Sequence, residues 1–387
     1  MIADQRTEAF RISTFKKGNN VKHNKLHWVT DAFEVGNAYG YSTHNKMMKD
    51  HVSPLMELTP EADIALTIIP ADKFRPVPFK HNILFSMFEA DAIPETYISG
   101  FNLADELVVP CGYVKNLFRQ YTSKKISVCH EGVDGNVFYY KEREFFRGQK
   151  FRILWVGAPN PRKGYPAMLE LIRVLESQPG IEIYLKTTVP KVDYDSVKGK
   201  LSEADISKVK NADDIKDRLE RANRGEVRPL HGLYEVMGKH NNVIFDSRNL
   251  TKQELVELYH SAHCFVFPST GEGWGLTLCE AMATGLPAIS PVHTAMQEYF
   301  DDSVGYDVSW NVSAEVDFKN YDLKAKVFIP DTNHILKRII EIHSNYTLAK
   351  RKARKAAERM RSKFRWDQAA QRLVSIVQNV ELSEVLV

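Results

Sequence analysis

The sequence predicts an α/β protein of two doubly wound domains, and three observations carry that prediction. The chain has 387 residues, more than one ordinary hydrophobic core organises. Short apolar runs bounded by polar or turn residues alternate with helix-length segments, as expected for strands covered on both faces of a parallel sheet. The alternation begins twice, near residue 26 and again at residue 151, which puts two such sheets in series.

Residues 1–25 are basic, polar and weakly patterned, and read as an N-terminal extension. LHWVT (26–30) is a short strand, followed by a glycine-punctuated loop with Gly36 and Gly40 and then a helix, in which His44 is either a face residue or a ligand. ADIALTII (62–69), HNILFSMF (81–88) and ADELVVPC (104–111) read as strands with helices between them, and KKISVCHEGVD adds another strand ending in a loop. The second series opens with the strand FRILWVG (151–157), the helix YPAMLELIRVLES and the strand IEIYLKTTV. A charged stretch follows, roughly 190 to 240, in which acids and bases nearly balance. NVIFDS, CFVFPS and PAISP are strands, and TKQELVELYHSA and LTLCEAMATG are helices. NHILKRIIEIHSNYTLAKRKARKAAERMRSKF and WDQAAQRLVSIVQNV close the chain as helices. The expected organisation is an extension (1–25), a first domain (26–148), a second domain (149–365) and a closing helix (366–387) that crosses back to the first.

Composition narrows the class. Hydrophobic residues make up 43% and charged residues 26%, which is globular. No apolar run approaches the ~20 residues of a membrane span. The N-terminus has no continuous apolar stretch of the secretory kind. Cys111, Cys129, Cys264 and Cys279 are scattered without CxxC spacing. That argues against a zinc site or a disulfide framework and suits a reducing cytoplasm. A net charge of +3 is too small to name a polyanionic partner.

The densest chemical signal is EGWGLTLCEAMATGLP, residues 272–287. Gly271, Gly273 and Gly275 follow a predicted strand and let the backbone turn sharply and approach a ligand closely. The helix then begins near Leu276, and its free N–H groups suit a phosphate or diphosphate. Glu272 precedes that anion site and Glu280 lies about one turn inside the helix. A glycosidase pair would hold its carboxyls ~5–9.5 Å apart across one bond, whereas eight helical residues span ~12 Å. A ligand lying along the loop fits better. Carboxylates accept hydrogen bonds from hydroxyls, and a nucleotide sugar has hydroxyls at both ends and a diphosphate between them.

The block FVFPSTGEGWGLTLCEAMATGLPAISP resembles the E-x7-E signature of glycosyltransferase family 4, the retaining enzymes of GT-B fold. The resemblance implies an α/β GT-B architecture of two Rossmann-like domains facing across a cleft, the first for the acceptor and the second for the donor. It implies that Glu272 touches the donor sugar and Glu280 the ribose, with Gly273, Gly275, Leu276, Thr277 and Gly157 as donor-binding positions. WVGAPNPRKGYPAMLELI (155–172) resembles the family's first strand, loop and helix of the donor domain, where an Arg and a Lys clamp the diphosphate. Lys163 matches the Lys; Ala158 replaces the usual Arg, and Arg162 is the substitute. Glu89 and Asp91 fall where family members place a residue facing the reacting sugar and acceptor, so Glu89 either orients or deprotonates the acceptor hydroxyl or caps a helix. VCHEGVDGNVF resembles the family's HGVD turn, with Glu131 inserted between His130 and Gly132, and Asp134 reads as a turn residue.

The leading expectation is therefore a cytoplasmic hexosyltransferase that moves a sugar from a nucleoside diphosphate sugar to an acceptor hydroxyl with retention. No DxD-type motif sits where a metal is needed, so the expected charge neutralisation comes from Lys163, Arg162 and the helix dipole, with no metal ligands. No permanently bound cofactor is expected; the co-substrate is a UDP-sugar, with a GDP-sugar as the alternative. The acceptor is a saccharide, a lipid-linked glycan or a modified DNA base, and no stable protein partner is implied. A phosphorylase on the same scaffold would be longer and would carry a PLP lysine motif. A nucleic-acid-binding protein, or a glycosyltransferase acting on a hydroxylated DNA base, is the competing reading. It rests on FKKGNNVKHNKLH and KRKARKAAERMRSKFR. The second segment also suits contact with an anionic membrane surface.

Overall fold

The computed structural model describes residues 23–29, 39–146, 148–158, 160–175, 178–187, 242–246, 248–318 and 322–382. The extension up to residue 22, the loop with Gly36 and the charged 190–240 stretch lie outside the described residues.

The first sheet contains β1 (Lys25–Trp28), β2 (Glu57–Leu58), β3 (Ile64–Ile68), β4 (His81–Phe85), β5 (Glu106–Val109) and β6 (Ile126–Val128), in the order β2-β1-β3-β4-β5-β6. Every pairing is parallel. All five residues of β3 are buried, because helices cover both faces and leave no polar side of the strand. The helices of this half are α1 (Tyr39–Val52), α2 (Glu95–Leu103) and α3 (Gly112–Phe118).

The second sheet contains β7 (Phe151–Val156), β8 (Ile181–Lys186), β9 (Val243–Asp246), β10 (Cys264–Val266), β11 (Ala288–Pro291) and β12 (Tyr306–Val308), in the order β12-β11-β10-β7-β8-β9, again all parallel. The chain builds outward from β7 to β9, then returns to lay β10 on the other side of β7. The strand order thus reverses between β7 and β10, and in such sheets ligands bind beyond the C-terminal ends of the strands at that point. Helices α4 (Tyr165–Leu175), α5 (Lys252–Ser261) and α6 (Leu276–Ala283) follow β7, β9 and β10. Thr251 caps α5 in a reciprocal pair with Glu254, the hydroxyl accepting from the Glu254 N–H at 3.2 Å and the carboxylate from the Thr251 N–H at 2.7 Å, which satisfies two donors that the helix itself cannot.

Two features depart from the sequence reading. The segment from Asn333 to Phe364 is not one helix. It forms α7 (Thr332–Ser344) and α8 (Tyr346–Lys363), because the Asn345 side-chain carbonyl accepts from the Leu348 N–H at 3.1 Å and starts α8 afresh. Between β12 and α7 the chain also forms an antiparallel hairpin, β13 (Trp310–Phe318) and β14 (Leu323–Pro330), which the sequence reading did not anticipate.

The last helix, α9 (Trp366–Gln378), returns to the first sheet. Trp366, Ala370, Leu373 and Val377 are buried in one cluster with Leu26 of β1, Met48 of α1 and the β3 side chains Ile64, Leu66 and Ile68. Val133 pairs with the chain just before α9, its N–H donating to the Phe364 carbonyl at 2.9 Å. The Asp134 carboxylate accepts from the Asn136 N–H at 3.0 Å, the turn role expected of it.

One side of the basic helix α8 is packed, and four of its cations are paired with acids. Ala349, Ala353, Ala356, Ala357 and Met360 are buried. Lys350 pairs with Glu144 at 2.8 Å, Lys352 with Asp302 at 2.8 Å, Arg354 with Glu142 at 2.9 Å and Arg359 with Asp301 at 2.7 Å. Acids of the same chain already occupy these cations, which weakens the nucleic-acid reading. No helix among the described residues is long and apolar enough to cross a membrane.

Candidate active site

Two loops meet beyond the C-terminal ends of β7 and β10. The first, after β7, is built by NPRKG. Pro161–Lys163 forms a 3₁₀ turn, which Asn160 caps by accepting from the Lys163 N–H at 3.0 Å. Gly164 ends it at φ 74°, and a Cβ there would lie 2.0 Å from the Pro268 carbonyl oxygen, so only glycine lets the two loops touch. The Trp155 indole donates to the Lys163 carbonyl at 3.1 Å. Arg162 and Lys163 are thereby aimed at the second loop.

The second loop, after β10, carries Glu272. Its side chain is almost fully buried, at 4% exposure. Lys163 Nζ donates to both carboxylate oxygens, at 2.6 and 2.8 Å. Arg162 Nη1 donates to Oε2 at 3.2 Å and to the Gly271 carbonyl at 2.9 Å. Ser269 Oγ donates to Oε1 at 2.7 Å. The Glu272 N–H donates to Thr294 Oγ1 at 3.1 Å. Burial opposes the ionised carboxylate, yet Lys163 and Arg162 outweigh it and hold Glu272 below the usual carboxylate range. Burial likewise pulls Lys163 down against the pull of Glu272.

Gly275 adopts φ 100° and starts α6. By helix geometry the N–H groups of Leu276 and Thr277 have no carbonyl one turn back, and both residues are partly exposed. Glu280 stands apart from the Glu272 cluster. It is half-buried and accepts from Tyr259 OH at 2.8 Å. Burial pushes its carboxyl up to about 7, opposed by the Tyr259 hydrogen bond and by Lys252.

The loop after β4 of the first sheet lies against the second loop. A Cβ on Gly271 would lie 1.9 Å from the Glu89 carbonyl oxygen, and one on Gly273 would lie 2.3 Å from Met87 Sδ. Glu89 Oε1 is 3.7 Å from Arg162. The structure therefore brings Glu272, Lys163, Arg162 and Glu89 together and leaves Glu280 apart, inside α6. Gly157 lies beside Lys163, where a Cβ would sit 3.5 Å from the lysine Cβ. Its N–H is already donated to the Lys186 carbonyl at 3.0 Å, so what Gly157 contributes is space.

Sequence reasoning missed Ser269 and Thr294, which orient Glu272. Ser269 had a signal, a small hydroxyl residue at the end of a buried strand; Thr294 lies beyond the next strand and had none. It also left His44 and Glu131 apart. They are buried at 0% and 2% exposure, with His44 Nδ1 3.3 Å from Glu131 Oε1. Burial pushes Glu131 up to about 8 and His44 down to about 3, so a single proton on the pair leaves it neutral. His130, beside them, stacks on Trp274 with ring centroids 5.3 Å apart and lies 3.4 Å from Glu298. Among the described residues no group of three or more His, Cys, Asp or Glu side chains is arranged to hold a metal ion.

Residues 222–373 match the family described as "Family 4 Glycosyltransferase in conflict systems". That segment is similar to family 4 glycosyltransferases, and the chain as a whole has the GT-B fold. No curated protein matches its sequence. Among solved structures, the chain resembles sucrose-phosphate synthase from Thermosynechococcus elongatus, with TM-score 0.54 and 15% identity over 87% of this chain and 77% of that one. It resembles HepE from Anabaena, in complex with UDP and glucose, with TM-score 0.55 and 12% identity over 87% of this chain and 80% of that one. It also resembles a TarM variant from S. aureus, in complex with fondaparinux, alpha-GlcNAc-glycerol and UDP, with TM-score 0.52 and 15% identity, covering 82% of this chain but 55% of TarM. At these identities the likeness concerns the fold.

Proposed function

We propose that this chain is a glycosyltransferase that moves a sugar from a nucleoside diphosphate sugar to an acceptor hydroxyl with retention at the anomeric carbon and without a metal ion. The observation that carries the reading is the pairing of two fixed cations, Lys163 and Arg162, with Glu272 at the mouth of α6. The diphosphate rests on the N–H groups of Leu276 and Thr277 and shares Lys163 and Arg162 with Glu272. Gly273 and Gly275 let the backbone come close, Gly157 leaves room beside Lys163, and Glu280 accepts from the ribose hydroxyls. Glu272 accepts from the sugar, and Glu89 faces the acceptor. As the bond from the anomeric carbon to the phosphate oxygen breaks, the departing diphosphate gains charge, and cations already aimed at it lower the barrier. The acceptor oxygen attaches on the same face, and its proton passes to the departing phosphate oxygen.

UDP in the HepE and TarM complexes supports a UDP-sugar as donor, with a GDP-sugar second. The acceptor classes are a saccharide, a lipid-linked glycan or a modified DNA base. The proposed boundaries are 26–148 for the acceptor domain and 149–365 for the donor domain. Buried free cysteines at 111, 129, 264 and 279 suit a cytoplasmic setting.

A panel of nucleoside diphosphate sugars, assayed for hydrolysis and for thermal stabilisation, tests this reading, since a ligand that binds only the native state raises its stability. One donor should stand out in both assays, and its turnover should persist in EDTA. No response to any donor would reject the donor assignment; loss in EDTA restored by Mg²⁺ or Mn²⁺ would reject the metal-free mechanism.

A further inference from the structure

The hairpin β13–β14 belongs by sequence to the second half of the chain, yet it grips the Phe88–Asp91 loop of the first. The Lys326 N–H donates to Asp91 Oδ1 at 2.7 Å, and the Asp91 N–H donates to the Lys326 carbonyl at 3.3 Å. The Phe318 ring lies 5.8 Å from that of Phe88, centroid to centroid. Ala325 and Val327 are buried in the same cluster as Phe88 and Ala90. The hairpin also reaches the Glu272 loop, because the Phe328 N–H donates to the Thr270 carbonyl at 3.0 Å. Glu89 sits between these anchors, with its backbone against Gly271 and its carboxylate toward Arg162.

We infer that the hairpin is a positioning element for Glu89, and that Asp91 and Phe318 are its positioning residues. A carboxylate that must meet an acceptor hydroxyl needs a fixed approach, and a small displacement weakens it sharply. A free loop after β4 would not fix Glu89. The two hydrogen bonds of Asp91 and the Phe318 contact tie that loop to the same body that holds the donor cations. The acceptor-side carboxylate is thereby set in register with Lys163 and Arg162. This inference rests on the donor-and-acceptor reading above.

The test is a double-mutant cycle between Asp91 and Glu89, read as release of the nucleoside diphosphate from the donor that the panel identifies, with the affinity for that nucleotide measured by calorimetry. Asp91→Ala should lower kcat about tenfold, the scale of one lost hydrogen bond, and leave the affinity for the nucleoside diphosphate within about twofold. Phe318→Ala should do the same. Asp91→Asn should retain turnover, because its amide oxygen still accepts from the Lys326 N–H. In a Glu89→Gln background Asp91→Ala should cost less than about twofold more, since residues acting through one another do not add. Unchanged turnover in Asp91→Ala, or full multiplication of the two losses in the double variant, would overturn the inference. Failure of the unaltered protein to bind any nucleoside diphosphate would instead count against the donor reading.

Discussion

Lys163→Ala is expected to cut kcat about a hundredfold, the scale seen when one charge-stabilising donor is removed from a site. Lys163 reaches both oxygens of Glu272, whereas Arg162 makes one longer contact with that carboxylate, so Arg162→Ala should cost less, on the order of tenfold. Charge on the diphosphate is greater in the transition state than in the bound donor, so the loss should appear in kcat as well as KM. Removing an ordinary surface lysine changes stability by less than ~0.5 kcal/mol and leaves kcat alone. Steady-state kinetics on both variants separates these cases. A silent Lys163→Ala would mean that the diphosphate is held elsewhere.

Gly271→Ala should be nearly as damaging for a different reason. The added methyl would sit 1.9 Å from the Glu89 carbonyl oxygen, and neither backbone can yield without separating the two loops. The expected result is a loss of about a hundredfold in kcat/KM with destabilisation of about 1–3 kcal/mol, the range for inserting a methyl into a packed site. Gly40→Ala is the control, because a Cβ there meets nothing within 4 Å. Thermal melts and kinetics on the two variants test the closed contact. Normal activity in Gly271→Ala would show that the site works without it.

The parallel sheets were legible because strands buried on both faces must be continuously apolar, as in ILWV before Gly157 and CFVF before Ser269. The α6 block was legible for a related reason. Close backbone approach needs glycine and anion binding needs a helix start, and both leave local marks. The hairpin was not legible: β14 mixes exposed lysines with small apolar residues, and their burial depends on Phe88, far away in sequence. The break at Asn345 was hidden because the apolar positions of α7 and α8 continue across it. Glu131 looked like an insertion in a turn, and only the fold brings His44 of α1 against it. The roles of Ser269 and Thr294 likewise depend on how separate strand ends converge.

The most direct test of the donor site is UDP affinity measured by calorimetry against pH, for the unaltered protein and for Glu280→Gln, with GDP and ADP run beside it. Burial holds the Glu280 carboxyl protonated up to about 7. Below that pH it is a neutral acid, as the glutamine is a neutral amide; above it, the carboxylate accepts stronger hydrogen bonds from the ribose. Taking the ratio of the two affinities removes the titration of the nucleotide itself. The account predicts saturable binding of one nucleotide, and an advantage for the unaltered protein that grows from about onefold in acid to about tenfold in base. No saturable binding by any of the three, or a ratio that stays near one at every pH, would contradict it.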